Sequence, residues 1–529
     1  MVENESLKII DELEGLGRID NSFNNKDSEF EESSNEYIED STESYEEIPD
    51  TDEIIHRGLL LKNHDNHYLL LRKIGFGNNA NVWICFKISD QKYCAIKIQH
   101  YQCYGDGKRE ITILKSISDF IKINNEPTHC VEMIDYFVYQ FTEEIKYICS
   151  VYELYGGSLH MLLTTGKYKY GLPVEVVKKI TKQILKGLVF LHDELHIIHT
   201  DLKPDNLLIK GVVDSQKKTI EIFSKSGFID KYNKIYAKYC TENSPDFEQF
   251  YQECSVLGME CTKDLHMIKD EIEYSSDEYS DESDDSDESI EEDENDFVNE
   301  ASIEPYNKRR QSVDDTLQTL FNKKLVNLES KDTEDNYYDF ESIKNRRDVT
   351  TDKVQIMDDK YVINCEIAIT DFGNSYFYEK RTKDEIQARK YRAPEIIMDF
   401  NYSYSVDIWS LGCIVYELLT GYVLFDPEDS PLNKDIQHLY LMEKILGSIP
   451  LKYKKISKRS NFLFDSKRNY HVKNIEKIER ISIKNILITQ FKFDDIEAND
   501  CSNFISEMLN YNYKTRPSAI EILKHKWLN

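Results

Sequence analysis

Eight consecutive residues, His199-Thr200-Asp201-Leu202-Lys203-Pro204-Asp205-Asn206, place an acid, an amine and an amide at spacings that suit one reaction. Asp201 could accept the hydrogen bond of an alcohol as a general base. Lys203 could neutralise charge developing on a phosphoryl group in transit, and Asn206 could hold a magnesium ion. His199 reads as a structural histidine beneath the loop. Asp371-Phe372-Gly373 follows the apolar run NCEIAIT, which would present Asp371 at a strand end to bridge magnesium and phosphates. Upstream, Ile74-Gly75-Phe76-Gly77-Asn78-Asn79-Ala80-Asn81-Val82 lies between two β-type runs, where backbone N–H groups could close over nucleotide phosphates and Val82 could pack on a base. Ala80 stands where a third glycine would complete that pattern. Fifteen residues beyond Val82, Ala95-Ile96-Lys97 puts a lysine within reach of two phosphates if Glu110 holds it. A glycine-bearing hairpin, a Lys–Glu pair or a lone DFG is commonplace alone; their order around the octet makes the set specific for phosphoryl transfer.

These residues need elements to carry them. YLLLRKIG, NVWICFKI and KYCAIKI are short β-type runs separated by turn formers, which predicts a small antiparallel sheet from Tyr68 onward. A helix of roughly Lys108 to Ile117 follows. Beyond about Leu172, VEVVKKITKQILKGLVFLH spaces its apolar residues three and four apart, and SVDIWSLGCIVYELLTG predicts a buried helix. The fold class is therefore α+β, a sheet-rich lobe joined to a helical one.

The formal charge of −31 is concentrated in two places. Residues 1–56 carry 19 acids against 3 bases, residues 271–300 carry 16 acids and no base, and about +1 remains for everything else. The tail has too few apolar side chains to offset the entropy of ordering, so it is expected to be disordered. The run SSDEYSDESDDSDESIEEDEND repels itself and reads as a spacer. Just before it, EIFSKSGFIDKYNKIYAKY has the aromatic content to form a helix that could dock on the lobe. The expected organisation is a tail at 1–56, a first domain segment at 68–209, an insertion at 210–360 containing the acidic run, and a second segment at 361–529. Eleven cysteines without metal-ligand or disulfide spacing point to an intracellular chain. No apolar run of membrane-spanning length occurs, and no basic patch with interleaved aromatics suggests nucleic acid. A cytoplasmic monomer is the expectation. Lys308-Arg309-Arg310-Gln311-Ser312 resembles a basic-directed phosphorylation site or a weak nuclear signal, so nuclear access is open, and Ser275 and Ser289 each have an acid three residues on, as acid-directed kinases require.

Tyr391-Arg392-Ala393-Pro394-Glu395, after 17 residues beyond DFG, completes a resemblance to the protein-kinase family from Tyr68 to Asn529 outside the spacer. The resemblance implies a bilobal fold, ATP and Mg2+ as cofactors, and protein substrates. It also implies structural roles for Asp407, which would anchor the catalytic loop, and for Glu395 with Arg516, which would brace the helical lobe. By the same resemblance, backbone groups of Glu153 and Tyr155 hold adenine. Lysine at 203 resembles serine/threonine kinases rather than tyrosine kinases.

Within the CMGC group the chain looks most like the SR-protein kinases. The grounds are HTD in place of HRD, Asn81-Val82-Trp83, the stretch GLPVEVVKKITKQILKGLVFLH, the closing HKWLN and a spacer adding about 150 residues between Asn206 and Asp371. Intact DFG and APE and the stretch His438 to Gly447 are similar to LAMMER kinases. Both branches imply Arg/Ser-rich substrates, although Gln437 and Lys444 stand where acids of a docking groove are expected. Thr200 replaces the arginine that would receive an activation-loop phosphate, and the loop from Asn374 to Arg392 has only 19 residues. Activity without loop phosphorylation is expected. A proline-directed kinase and a pseudokinase scaffold are the alternatives.

Overall fold

The computed structural model describes residues 54–268 and 362–529, apart from 64–65, 78, 125–126, 143, 165, 241–245, 381–385, 428–431 and 476–477. Nearly all of the acidic tail, the acidic run, Ser275, Ser289, the basic cluster at 308–312 and Asn78 lie outside the described residues. The strands are β1 (Leu60–Asn63), β2 (Asn66–Phe76), β3 (Ala80–Lys87), β4 (Lys92–Gln99), β5 (Met133–Gln140), β6 (Lys146–Tyr152), β7 (Tyr155–Ser158), β8 (Ile197–Ile198), β9 (Leu207–Lys210), β10 (Ile367–Ile369) and β11 (Tyr376–Phe377). The helices that matter for the site are α1 (Tyr104–Asn124), α2 (Val174–Val189), α3 (Asp214–Ser224), α4 (Phe228–Tyr239), α5 (Phe247–Thr262), α6 (Ser405–Thr420), α7 (Lys434–Leu446) and α8 (Asp495–Met508). The chain forms two compact units.

The first unit comprises residues 54–115, 134–151 and 222–266. Its sheet has the order β1-β2-β3-β4-β6-β5, built from the β-branched and aromatic runs that favour a pleated, half-buried surface. Leu61, Tyr68, Leu70, Trp83, Cys85, Ile96, Tyr147 and Val151 share one core. Helix α1 extends well beyond the expected Lys108 to Ile117. Its first turns contain Gly105 and Gly107, which read as helix breakers. Packing overrides that preference, since a Cβ at Gly107 would lie 3.0 Å from Ile148 and 3.1 Å from Gln99.

The start of the insertion is helical, with α3, α4 and α5 where a single docked helix was the expectation. Phe223 and Phe228 set their rings 5.3 Å and 6.5 Å from Phe86. His67 bonds the Tyr232 hydroxyl at 3.0 Å and the Tyr251 hydroxyl at 3.2 Å. Helix α5 comes so close to the segment before β1 that a Cβ on Gly258 would sit 2.1 Å from the Gly58 carbonyl oxygen. Burying each of these aromatic side chains contributes about 1.5–3 kcal/mol, which holds the helices on the sheet.

The second unit comprises residues 116–133, 152–221 and 267–529, of which the described part is mainly helical. All sixteen residues of α6 are buried, and Gly421 ends it in a left-handed conformation at φ +75° that frees the backbone from helical geometry. A three-stranded sheet, β10-β9-β7, pairs Ile367 with Ile209 and Ile369 with Leu207 in antiparallel register. Strands β9 and β10 are thus the two arms of a hairpin whose connection is the entire insertion. A segment placed at that tip leaves the other end of both strands, where Asn206 and Asp371 lie, undisturbed. All eleven cysteines are free.

Candidate active site

In the first unit, the register of the sheet brings the candidate phosphate-binding residues into one row: Gly75 faces Val82, and Val82 faces Lys97. The turn reverses between Phe76 and Ala80, and Ala80 begins β3 as a buried residue opposite Gln99. The third-glycine position therefore belongs to a strand, which explains why alanine is accommodated. Asn79 is fixed by its carbonyl, which accepts the His100 N–H at 2.9 Å. Phe76, at the tip, is 54% exposed. Ala95 is buried on β4 two residues before Lys97. Lys97 Nζ donates to both oxygens of Glu110, at 2.8 and 3.0 Å. Gln99, which sequence reading overlooked, gives Glu110 a third donor at 2.8 Å. A carboxylate taking three hydrogen bonds is held firmly enough to aim the lysine.

In the second unit, the octet forms a loop between β8 and β9. Asp407, at 0% exposure in the first turn of α6, organises it. Its Oδ2 accepts from the His199 N–H at 2.8 Å and from His192 Nε2 at 2.9 Å, and its Oδ1 accepts from the Thr200 N–H at 2.9 Å. Those bonds stabilise Thr200 at φ +67°, a conformation that a β-branched residue adopts only when its surroundings enforce it. His199 has the structural place expected of it: Nε2–H donates to the Thr370 carbonyl at 2.9 Å, Nδ1 accepts from the Asp201 N–H, and Phe372 packs against the ring.

Asp201 is nearly buried, and three groups converge on its carboxylate. Lys203 Nζ lies 3.2 Å from Oδ2, Asn206 Nδ2 lies 3.3 Å from Oδ2, and the Ala388 N–H donates to Oδ1 at 3.1 Å. Burial pushes the carboxyl up from its ordinary range, the Lys203 charge opposes that, and the neighbouring Asp371 charge adds to it. For Lys203, burial pulls the ammonium down but Asp201, Asp205 and Asp371 outweigh it, so the net direction is up and the amine stays charged. Asn206 also donates from Nδ2 to the Asp201 carbonyl at 2.8 Å, which turns its Oδ1 away from that contact. Asp371 stands two residues past β10 at φ +62°, and Thr370 N–H donates to the Asn206 carbonyl at 3.0 Å. The sheet thus brings Asn206 and Asp371 together across a long sequence separation.

The segment after DFG is pinned by Thr200 together with groups, Ser375 and Gln387, that sequence reading did not single out. Thr200 Oγ1 donates to the Asn374 carbonyl at 2.6 Å, Ser375 Oγ donates to the His199 carbonyl at 3.0 Å, and β11 pairs with β8. Gln387, at φ +69°, donates to Val406 O and Ser410 Oγ and accepts from the Ala393 N–H, while Arg392 donates to its carbonyl at 2.8 Å. That network sets the Ala388 N–H on Asp201. A glutamine four residues before a tyrosine carries no sequence signal of such a role. Glu395 and Arg516 form the expected pair, at 2.7 and 3.0 Å. Gln437 and Lys444 are buried in α7, so neither offers a side chain to an open groove. Glu153 is exposed, whereas Tyr155 opens β7.

The arrangement fits the comparisons with known proteins. The protein kinase domain model matches residues 68–223 and 347–528. A serine/threonine-protein kinase of Acanthamoeba polyphaga mimivirus is 44% identical, over 90% of this chain and 89% of its own length. Protein kinase dsk1 of Schizosaccharomyces pombe is 26% identical, over 88% and 81%. SRSF protein kinase 3 of Mus musculus is 25% identical, over 88% and 87%. Membership implies ATP, a divalent metal and protein substrates. Among the described residues no helix is long and apolar enough to cross a membrane, and no group of three His, Cys, Asp or Glu side chains is placed to hold a metal ion. A magnesium ion in this chemistry keeps waters and substrate phosphates as ligands, so one carboxylate and one amide oxygen are a fitting protein share. The chain belongs to the protein kinase family, as an SRPK-like serine/threonine kinase whose domain is split by a long insert.

Proposed function

We propose that this kinase phosphorylates serine in Arg/Ser-rich proteins and does so without prior phosphorylation of its activation loop. In this reading Asp201 accepts the proton of the substrate hydroxyl as its oxygen attacks the γ-phosphorus, the bond from that phosphorus to the β,γ-bridging oxygen breaks to release ADP, and Lys203 balances charge on the moving phosphoryl group. Magnesium, when bound, neutralises phosphate charge, with Asp371 and the Asn206 Oδ1 as its hard oxygen donors. Lys97, aimed by Glu110, takes the α and β phosphates. Residues 74–82 cover the phosphates, Ala95 and Val82 pack on the base, and the backbone of Glu153 and Tyr155 reads the adenine edge. Lys97, Glu110, Asp201, Asn206 and Asp371 are all present, which argues against a pseudokinase scaffold.

The observation that carries the loop part of the proposal is the Thr200–Asn374 hydrogen bond. Where an arginine would wait for a phosphate, a hydroxyl already holds the loop's backbone, and Ser375 and β11 add to it. The order that a phosphate would impose is supplied by neutral contacts. The substrate class rests on resemblance to the SR-protein kinases and on relatives of that name.

The test is transfer of labelled phosphate from ATP with magnesium to an Arg/Ser-repeat peptide, beside a Ser-Pro peptide and an Asp201→Ala control. Preferential Arg/Ser labelling, lost in the variant and unchanged by phosphatase pretreatment, is expected. Preferential Ser-Pro labelling would move the chain to a proline-directed branch. A phosphatase-induced loss restored by a second kinase would overturn the loop reading.

A further inference from the structure

Strand β7 is a weak element to carry molecular recognition. Its four residues, YGGS, include two glycines, and its ladder with β9 is interrupted between Tyr155 and Ser158. Glycine in a strand has the largest backbone freedom to lose and no side chain to pack. Something beyond the ladder must fix the Tyr155 peptide. Gln216, in the first turn of α3, supplies it: Nε2 donates to the Tyr155 carbonyl at 2.8 Å. The same amide accepts the Val213 N–H on Oε1 at 3.1 Å. One partner offers a proton and the other offers lone pairs, so only one orientation of the amide satisfies both. Gln216 is 4% exposed, and such a buried, doubly bonded amide is costly to misplace.

We propose that Gln216 is a positioning residue for nucleotide recognition, through which the start of the insertion sets the backbone that meets adenine. The proposal rests on the functional reading that Glu153 and Tyr155 contact the base. Without the Gln216 bond the Tyr155–Gly156 peptide is free to rotate, and the backbone just before it, which carries the Tyr155 N–H and the Glu153 carbonyl, loses the anchor that keeps it on the line of the base edge. The insertion thereby does more than lengthen the chain: its first turn belongs to the nucleotide site.

The test is steady-state kinetics on the full chain with two variants. Q216E keeps the shape and the acceptor for Val213 but sets an oxygen against the Tyr155 carbonyl; Q216M keeps the packing and removes both bonds. A roughly tenfold rise in KM for ATP is expected in each, with kcat at saturating ATP and KM for the peptide within about twofold of the parent. The rise should be smaller for purine riboside triphosphate, which lacks the adenine amine. An unchanged KM for ATP, or a fall in kcat with that KM unmoved, would overturn the proposal, because a merely structural role would give the second pattern. If Q216E does not fold, Q216M decides on the same criterion. The parent protein serves as the separate check on the base contact. If it uses ATP and purine riboside triphosphate equally, the reading of Glu153 and Tyr155 fails; if it discriminates while both variants match it, only the role of Gln216 fails.

Discussion

Replacing Arg516 by Met and Glu395 by Gln should have unequal costs, and the inequality follows from who else each group touches. Arg516 is 0% and Glu395 1% exposed at the side chain. The guanidinium donates to both Glu395 oxygens, to the Ser405 carbonyl at 2.6 Å and to the Asn510 carbonyl at 3.1 and 2.9 Å, and it lies 5.0 Å from the centre of the Trp409 ring. With E395Q it keeps the two carbonyls and the ring, and an amide oxygen replaces the carboxylate, so the loss is about 1.5–3 kcal/mol, the worth of a charge-assisted bond. With R516M the carboxylate loses its donors, and no other described side chain replaces them. Stranding a buried charge costs about 3–5 kcal/mol. The double variant removes both charges, so its cost should fall short of the sum by on the order of 2 kcal/mol. Urea unfolding followed by tryptophan fluorescence reads this directly, since Trp409 stacks against the arginine. At a slope of about 2–3 kcal/mol/M, R516M should lower the midpoint by roughly 1–2 M. Equal costs for the single variants, or strict additivity in the double, would refute the reasoning.

Burial pushes the Glu417 carboxyl up to about 7, against the opposing hydrogen bond from Tyr391 Oη at 2.7 Å. A folded-state value above the unfolded one gives stability that is complete below about pH 4.5 and lost as pH rises through about 7. The parent should therefore lose more urea resistance between pH 5 and 8 than E417Q does. Lys97→Met should lower kcat/KM by at least about 100-fold, and Glu110→Gln by less, because Gln99 still holds the side chain; no loss in Glu110→Gln would deny Glu110 an aiming role, and a loss equal to that of Lys97→Met would deny the support from Gln99. Asp407→Asn puts an NH2 group against a set of N–H donors, so it should cost about 3 kcal/mol and depress kcat together with stability, measured by melting and turnover on one preparation. Thr200→Val removes the hydroxyl bond to Asn374, and a fall of about fivefold in kcat with unchanged KM for ATP is expected, whereas no change would assign loop order to β11 and Ser375 alone.

The local chemistry of this protein was written in short runs of residues. The octet at 199–206, DFG at 371–373 and the β-type runs around Lys97 are contiguous, and their residue types are those that the reaction and the pleated sheet each demand, so sequence alone determined the fold class and the family and named the candidate acids and amines of the site. The spread of charge likewise marked the two acidic segments. What sequence could not decide depended on partners distant in the chain. The helix expected from about Lys108 starts at Tyr104, where Gly107 lies tightly against Ile148 and Gln99. The early insertion had the aromatics of one helix and forms three, because the sheet and Gly58 offer them a surface. Gln99, Gln387 and Gln216 are ordinary polar residues in sequence. Their roles come from the backbone groups that tertiary structure sets in front of them, and a glutamine amide, able to donate and accept at once, takes its meaning only from those neighbours.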